Sequence, residues 1–345
     1  MQATDSKFGF LPHEKTRIII IYILIIAFTL ICFAASILIG QSYVVLAGLG
    51  VVAYILGLRH GVDADHISAI DNTTRKLLQE GKHPLTVGTW FSLGHSTIVI
   101  AMTIVFVFAT KAVVASLPFF QTIGATIGTL ISGIFLFLIG TINVVIIKDT
   151  YSVFKALKVG KLGEHELEKA LNTKGFMTKK FAKLFSIVNS SWQTYIIGLL
   201  FGLGFDTATE VALIALSVGV GVESGVPIWM VLVLPLMFTA GMVIVDTSDG
   251  ISMRLAYNWA FLKPIRKLYY NLTITAISVL VAFLVGGIEL FQVLSNQLHW
   301  GGFWNVLRNA DFETIGFLII AVFIVSWLVA VVYYKRKGFE LKSSA

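Results

Sequence analysis

Long apolar runs recur along the chain and restrict its fold more than any other feature. The first covers residues 18–39 without a charged side chain, and further runs begin near residues 43, 86, 122, 193, 228, 271 and 314. A helix needs about 20 residues to cross the hydrocarbon core of a bilayer, and most of these runs are long enough. The pattern therefore predicts an all-α, polytopic membrane protein with eight transmembrane helices, folded as a single domain over residues 1–345.

Composition supports a membrane protein and excludes several other classes. The chain is 57% hydrophobic and 13% charged, whereas soluble domains carry about 25% charged residues. Its single cysteine, Cys32, permits neither a disulfide framework nor a thiolate metal site. The net charge of +7 resides mainly in the segments between apolar runs, so it indicates membrane topology and no nucleic-acid partner.

The distribution of basic residues indicates how the chain crosses the membrane. Of the 26 lysine and arginine residues, 23 lie in the N-terminal segment, the C-terminal tail, or the linkers after the second, fourth and sixth spans. Such an excess marks the cytoplasmic side. We therefore expect both termini in the cytoplasm, with cytoplasmic linkers at residues 72–85 and 148–190. The longer linker, between spans 4 and 5, is expected to be solvated.

The second apolar run carries an unusual group of ionisable residues at its far end: Arg59, His60, Asp63, Asp65 and His66. An ionised side chain at the bilayer centre costs about 2.5–3.5 kcal/mol, so such groups face a protein interior, a cavity or a bound ion. Imidazole and carboxylate groups together are typical ligands of divalent transition metals. These residues are therefore candidate metal ligands.

Polar residues in three other spans are expected to join this group, because the remaining spans are nearly free of charge. His95 in the third span is a further candidate ligand. The other members are candidates for the transport pathway, for guiding the ion inward or carrying protons, or for holding the ligands. Together with Arg59 they are Ser92 and Ser96 in the third span, Asp206, Thr207 and Glu210 in the fifth, and Asp246 and Asp249 in the sixth.

Helical geometry leaves the ligand carboxylate of the second span open. At about 100° per residue, His60, Asp63 and His66 share an arc of about 120°, whereas Asp65 lies nearly opposite His60. Either Asp63 is the nearby carboxylate, or the helix is unwound around Gly57 and Gly61, as helices in transporters often are at their binding sites. Arg59 is expected to neutralise the carboxylate that does not bind metal.

A short internal similarity indicates an inverted repeat. Residues 57–66 resemble residues 202–210, and Gly94-His95 and Gly241-Met242 follow in the next span of each half. Spans 2–3 and 5–6 would cross the membrane in opposite directions, and inverted repeats are common in secondary transporters.

Four motifs in order, at residues 59–67, 91–96, 203–210 and 241–249, resemble the nickel/cobalt transporter family. The first has the family's spacing of a histidine, four residues and Asp-His. Gly61 is a departure, since the family commonly has alanine there. The resemblance implies uptake of Ni²⁺, and in some members Co²⁺, with the ion as substrate and no cofactor. It marks His60, Asp65 and His66 as essential positions.

The sequence is thus interpreted as a secondary transporter, not an enzyme, whose partners are a transition-metal dication and the lipid bilayer; homo-oligomerisation is left open. Imidazole and carboxylate ligands suit nickel, cobalt or zinc better than magnesium or calcium, and the lack of thiolates argues against copper(I). Because metal ligands must be deprotonated, binding should weaken in acid.

Two alternatives use the same site differently. A membrane-embedded metalloenzyme would keep its metal, but the chain has no H-E-x-x-H motif and no cluster of histidine boxes. An exporter often carries a histidine-rich cytoplasmic loop, and residues 148–190 contain only His165. Uptake is therefore the preferred direction.

Overall fold

The computed structural model describes residues 12–108, 117–158, 188–203, 208–223, 226–261, 264–298, 302, 304–305 and 310–336. Within these ranges the chain forms helices and no strands. The helices are α1 (Pro12–Gly40), α2 (Val44–His60), α3 (Ala64–Gln79), α4 (Val87–Phe108), α5 (Leu117–Lys158), α6 (Thr194–Phe201), α7 (Ala208–Glu223), α8 (Ile228–Val231), α9 (Val233–Phe261), α10 (Pro264–Leu298) and α11 (Phe312–Arg336). A 3-10 turn, Ser191–Gln193, precedes α6.

Among the described residues, five helices are long and apolar enough to cross a membrane, and α2 and α3 make a sixth span if they are joined across their 53° bend. Helix α11 contains a shorter apolar stretch, Phe312–Ser326. The prediction of an all-helical, multi-pass membrane protein is confirmed at this level.

Helix α3 differs from the sequence-based expectation. It continues to Gln79, so the prediction of a polar linker from residue 72 was wrong. The polar side chains of α3 find partners inside the protein: Arg75 donates to the hydroxyl oxygens of Thr275 and Ser278 on α10, at 2.9 and 2.5 Å. The Asn143 amide on α5 donates to the Asn72 side chain at 2.7 Å. Polar residues that look like a loop in the sequence therefore lie on a buried helix.

Two other segments are only partly described. The first part of the predicted 148–190 linker continues α5 as far as Lys158, while residues 159–187 lie outside the described residues. The predicted fifth span is described as α6 and α7. Residues 204–207 between them, which include the candidate site residues Asp206 and Thr207, lie outside the described residues.

Glycines let α2 and α9 cross with their backbones in contact. A Cβ atom on Gly57 would overlap the Phe238 carbonyl oxygen, and one on Gly241 would overlap the Tyr54 carbonyl oxygen. Small residues are the usual means by which membrane helices approach this closely. The crossing brings the end of α2, with its ionisable motif, against the helix that carries Asp246.

A second crossing of the same kind joins α4 and α6. A Cβ atom on Gly94 would overlap the Tyr195 carbonyl oxygen, and one on Gly198 would overlap the Phe91 carbonyl oxygen. Gly94 directly precedes His95, so this contact fixes the depth of that histidine relative to the fifth-span helices.

Candidate metal centre

Three histidines from different helices meet in the interior. His60 ends α2, His66 lies in the first turn of α3 and His95 lies in α4. Their ring centroids are 4.6 Å (His60–His66), 4.8 Å (His60–His95) and 4.9 Å (His66–His95) apart. All three are buried, and one ligand nitrogen from each lies within 4.8 Å of the other two. The histidines predicted to converge are therefore neighbours.

A break in the helix brings the second-span residues together. Helix α2 ends at His60 and α3 begins at Ala64 after a short turn through Gly61. Asp63, at the N-cap position of α3, has an extended ψ of 143°. The helix is therefore broken at residues 61–63, which include Gly61, whereas Gly57 lies within α2. The Asp63 carboxylate lies beside His60.

Two carboxylates orient two of the rings. Asp63 Oδ2 lies 3.0 Å from His60 Nδ1, and Asp246 Oδ2 lies 3.1 Å from His66 Nδ1. An imidazole that donates its Nδ1 hydrogen to a carboxylate keeps an Nε2 lone pair for a metal. His66 Nε2 is buried and has no hydrogen-bond partner among the described residues.

Glu210 completes the polar group. Its Oε1 atom lies 2.6 Å from His95 Nε2 and 3.8 Å from His60 Nε2. The two Nε2 atoms of His60 and His95 are themselves 3.0 Å apart. Glu210 lies in the first turn of α7, so the fifth span contributes a carboxylate directly beside the imidazoles.

Serine and aromatic side chains surround this group. Ser92 on α4 donates a hydrogen bond to Asp246 Oδ2. The buried hydroxyl of Ser96 has no hydrogen-bond partner among the described residues. The Phe91 ring packs 4.8 Å from His66 and the Phe238 ring 5.4 Å from His60, measured between centroids. These apolar walls limit access of water to the imidazoles.

Three other sequence candidates lie in different surroundings. Asp65 is half-buried, and its Oδ1 atom accepts a hydrogen bond from the His66 backbone N–H at 2.9 Å. Arg59 forms an ion pair with Glu313 of α11, which corrects the expectation that it pairs with a carboxylate of its own motif. Asp249 has one buried carboxylate oxygen without a hydrogen-bond partner among the described residues.

Sequence reasoning missed two groups of residues. Glu313 was passed over because it begins an apolar span far from the motifs, and only its contact with Arg59 marks it. The buried residues Arg75 and Lys76 were assigned to a linker, and buried Asp71 was not recognised as a candidate. Their signal was present in the sequence, since they continue the helix that begins at Ala64.

Comparison with known proteins identifies the family. The model of the family described as high-affinity nickel-transport protein (NicO) matches residues 46–333. This chain belongs to that family. The resemblance drawn from the four motifs is therefore confirmed.

Individual relatives are similar to this chain over most of its length. A high-affinity nickel transport protein of Cupriavidus necator is 44% identical, covering 95% of this chain and 94% of the relative. The nickel transporter NixA of Staphylococcus aureus is 43% identical, covering 99% and 98%. The cobalt transport protein NhlF of Rhodococcus rhodochrous is 35% identical, covering 85% and 84%. No solved structure matches the chain.

Proposed function

We propose that this protein is a secondary transporter that takes up Ni²⁺, with Co²⁺ as a further substrate, and that His60, His66, His95 and Glu210 bind the ion in transit. The observation that carries the proposal is the convergence of three buried imidazoles from separate helices. The names of the relatives from C. necator and S. aureus support nickel, and that of the R. rhodochrous relative supports cobalt.

The spacing of the donor atoms suits a dication. Metal–imidazole bonds are about 2.1 Å long, so two nitrogens bound at right angles to one ion lie about 3.0 Å apart. The Nε2 atoms of His60 and His95 have this separation, 3.0 Å. Nitrogen and carboxylate donors without sulfur favour nickel, cobalt or zinc over calcium or magnesium.

Apart from the ligand Glu210, the carboxylates of the motifs have one of two roles in this proposal. Asp63 and Asp246 hold the His60 and His66 rings through their Nδ1 atoms, as partners of metal-binding histidines commonly do. Asp65 and Asp249 are proposed to guide the ion towards and away from the imidazoles. Asp206 and Thr207 belong to the same motif as Glu210, and we assign them to the pathway on that ground.

The finer topology is also a proposal. Eight spans in the cell membrane with cytoplasmic termini account for the basic segments, and an inverted repeat relates spans 2–3 to spans 5–6. The two glycine crossings support the repeat. In an inverted repeat, span 2 corresponds to span 5 and span 3 corresponds to span 6. The contact between spans 2 and 6 therefore corresponds to the contact between spans 5 and 3, and both contacts are made by glycines. We propose no enzymatic activity for this member of a transporter family.

Accumulation of radiolabelled nickel by cells expressing the protein tests the proposal. Wild-type expression should raise accumulation, and His60→Ala should abolish the increase with the protein still in the membrane. His13→Ala, at an exposed position near the start of α1, is the matched control and should transport normally. Accumulation that falls with wild-type expression would indicate export, and normal transport by His60→Ala would contradict the proposed site.

A further inference from the structure

The last helix, α11, lies against the break between α2 and α3. Gly316 faces this turn so closely that a Cβ atom on it would overlap the Val62 carbonyl oxygen and lie 3.2 Å from the Ala64 nitrogen. Ile319 and Phe323 belong to the same buried apolar cluster as Val62 and Ala64. The turn that separates His60 from His66 therefore rests on α11.

An ion pair ties the same end of α11 to the residue before His60. Arg59 Nε lies 2.8 Å from Glu313 Oε1, and Arg59 Nη2 lies 2.5 Å from Oε2. Bidentate pairs of this kind fix direction as well as distance. Glu313 and Gly316 are three residues apart on one side of α11. The ion pair therefore holds the end of α2 just before the turn, and the glycine contact holds the turn at Val62 and Ala64.

Each backbone N–H group of residues 61–63 donates a hydrogen bond, but those of Val62 and Asp63 reach back only three residues, unlike the four-residue bonds of the flanking helices. The Val62 N–H donates to the Arg59 carbonyl oxygen and the Asp63 N–H donates to the His60 carbonyl oxygen, both at 3.0 Å. These bonds close single tight turns and do not form a continuous helical ladder. The turn nevertheless sets the placement of His60, Asp63 and His66 relative to one another. Ligand groups of a metal site bind well only when neighbouring residues hold them in position.

We infer that α11 is a positioning element of the metal centre, in which Glu313 and Gly316 act as positioning residues through Arg59 and Val62. This inference rests on the proposed function, since it assigns α11 a role in binding the same ion. Helix α11 contributes no ligand to the three-histidine group found among the described residues. Its effect is on ion affinity through the geometry of the turn.

Nickel binding by the purified full-length protein, measured by competition with a chromogenic chelator, tests the inference. We expect Gly316→Ala and Glu313→Gln each to raise the Kd for nickel about tenfold. This is the lower end of the loss of affinity seen when a residue that orients a metal ligand is replaced. Gly48→Ala on α2 is the matched control, because a Cβ atom there has open space, and its Kd should not change.

Two further measurements separate positioning from general destabilisation. The reversed pair Arg59→Glu with Glu313→Arg should recover part of the affinity that either single reversal loses. In uptake assays the Glu313→Gln variant should raise KM for nickel more than it lowers the maximal rate. Thermal unfolding identifies any variant that has lost its fold, and Glu313→Gln keeps the test valid if Gly316→Ala does not fold.

The outcomes distinguish this inference from the function it rests on. Wild-type affinity in both Gly316→Ala and Glu313→Gln, with binding lost in His60→Ala, would overturn the role of α11 and leave the transport site intact. A wild-type protein that binds no nickel would instead refute the proposed function.

Discussion

His60 Nε2 and His95 Nε2 lie 3.0 Å apart in the interior, although 35 positions separate the two residues in the sequence. Two neutral imidazoles can share one hydrogen at this distance, and two deprotonated nitrogens can share one cation. Glu210 Oε1 lies within 3.8 Å of both nitrogens, so a negative charge is present beside the position that a dication would occupy.

The first prediction concerns His95 and Glu210, whose side chains come from the third and fifth spans. His95→Ala should weaken nickel binding at least tenfold, because it removes one of the three converging nitrogens. Glu210→Gln keeps the size of the side chain and removes its charge, so it should weaken binding as well. Isothermal titration with nickel measures both effects, and His13→Ala serves as the control. Unchanged affinity in both variants would remove these residues from the site.

The second prediction concerns the hydrogen bonds that orient His66. Asp246→Ala should weaken nickel affinity about 10- to 100-fold, the usual effect of removing a partner that orients a metal-binding histidine. Ser92→Ala should have a smaller effect in the same direction, because it removes only the donor to Asp246. The order of the two effects, measured by equilibrium dialysis with nickel, is the test. A larger loss in Ser92→Ala would contradict the expected order and show that Ser92 does not act through Asp246 alone, whereas unchanged affinity in Asp246→Ala would show that Asp246 does not hold His66 for the metal.

The third prediction concerns stability and the buried helix α3. Arg75 and Asp71 are both buried, and they form an ion pair in which Arg75 Nη2 lies 3.4 Å from Asp71 Oδ1. Arg75→Ala should lower the free energy of unfolding by about 3–5 kcal/mol, because it leaves a buried carboxylate without its cation. The double variant Asp71→Leu with Arg75→Met should recover much of that loss. Denaturation of the purified protein in detergent measures both changes; a stable Arg75→Ala protein would contradict the buried pairing.

The fourth prediction concerns the crossing of α2 and α9. Gly57→Ala should destabilise the protein by about 1–3 kcal/mol, as overpacking of a close contact does, because the added Cβ meets the Phe238 backbone. Gly219→Ala on α7 has open space around its Cβ and should leave the melting temperature unchanged. Equal stability of the two variants would show that the crossing is not tight.

The grouping of the site residues could be predicted from the sequence, because ionisable side chains inside a membrane are few and each costs free energy unless it has a partner. His60, His66 and His95 could be grouped on that ground alone. The position of the break at residues 61–63 was not derivable, since angular spacing admitted either a straight or an unwound helix. The spacing of residues along one helix also cannot identify contacts between distant segments. The ion pair of Arg59 with Glu313, 254 positions away, was therefore not predicted.

The prediction that residues 72–79 belong to a polar linker was wrong for a related reason. Arg75 and Lys76 were counted among cytoplasmic basic residues, as charged positions beside a span usually are. In the structure these side chains are buried against α10 and the Val188 carbonyl oxygen. Composition indicates how polar a segment is. Whether its polar side chains can be buried depends on hydrogen-bond and ion-pair partners in other helices, which composition does not reveal.

X-ray absorption at the nickel edge of the purified, nickel-loaded protein measures which atoms bind the ion. We predict nitrogen and oxygen neighbours without sulfur, with the multiple-scattering pattern of coordinated imidazoles from His60, His66 and His95. That pattern should weaken in His66→Ala and stay unchanged in His13→Ala. A spectrum of oxygen ligands alone, or one that His60→Ala and His66→Ala leave unaltered, would contradict the three-histidine site.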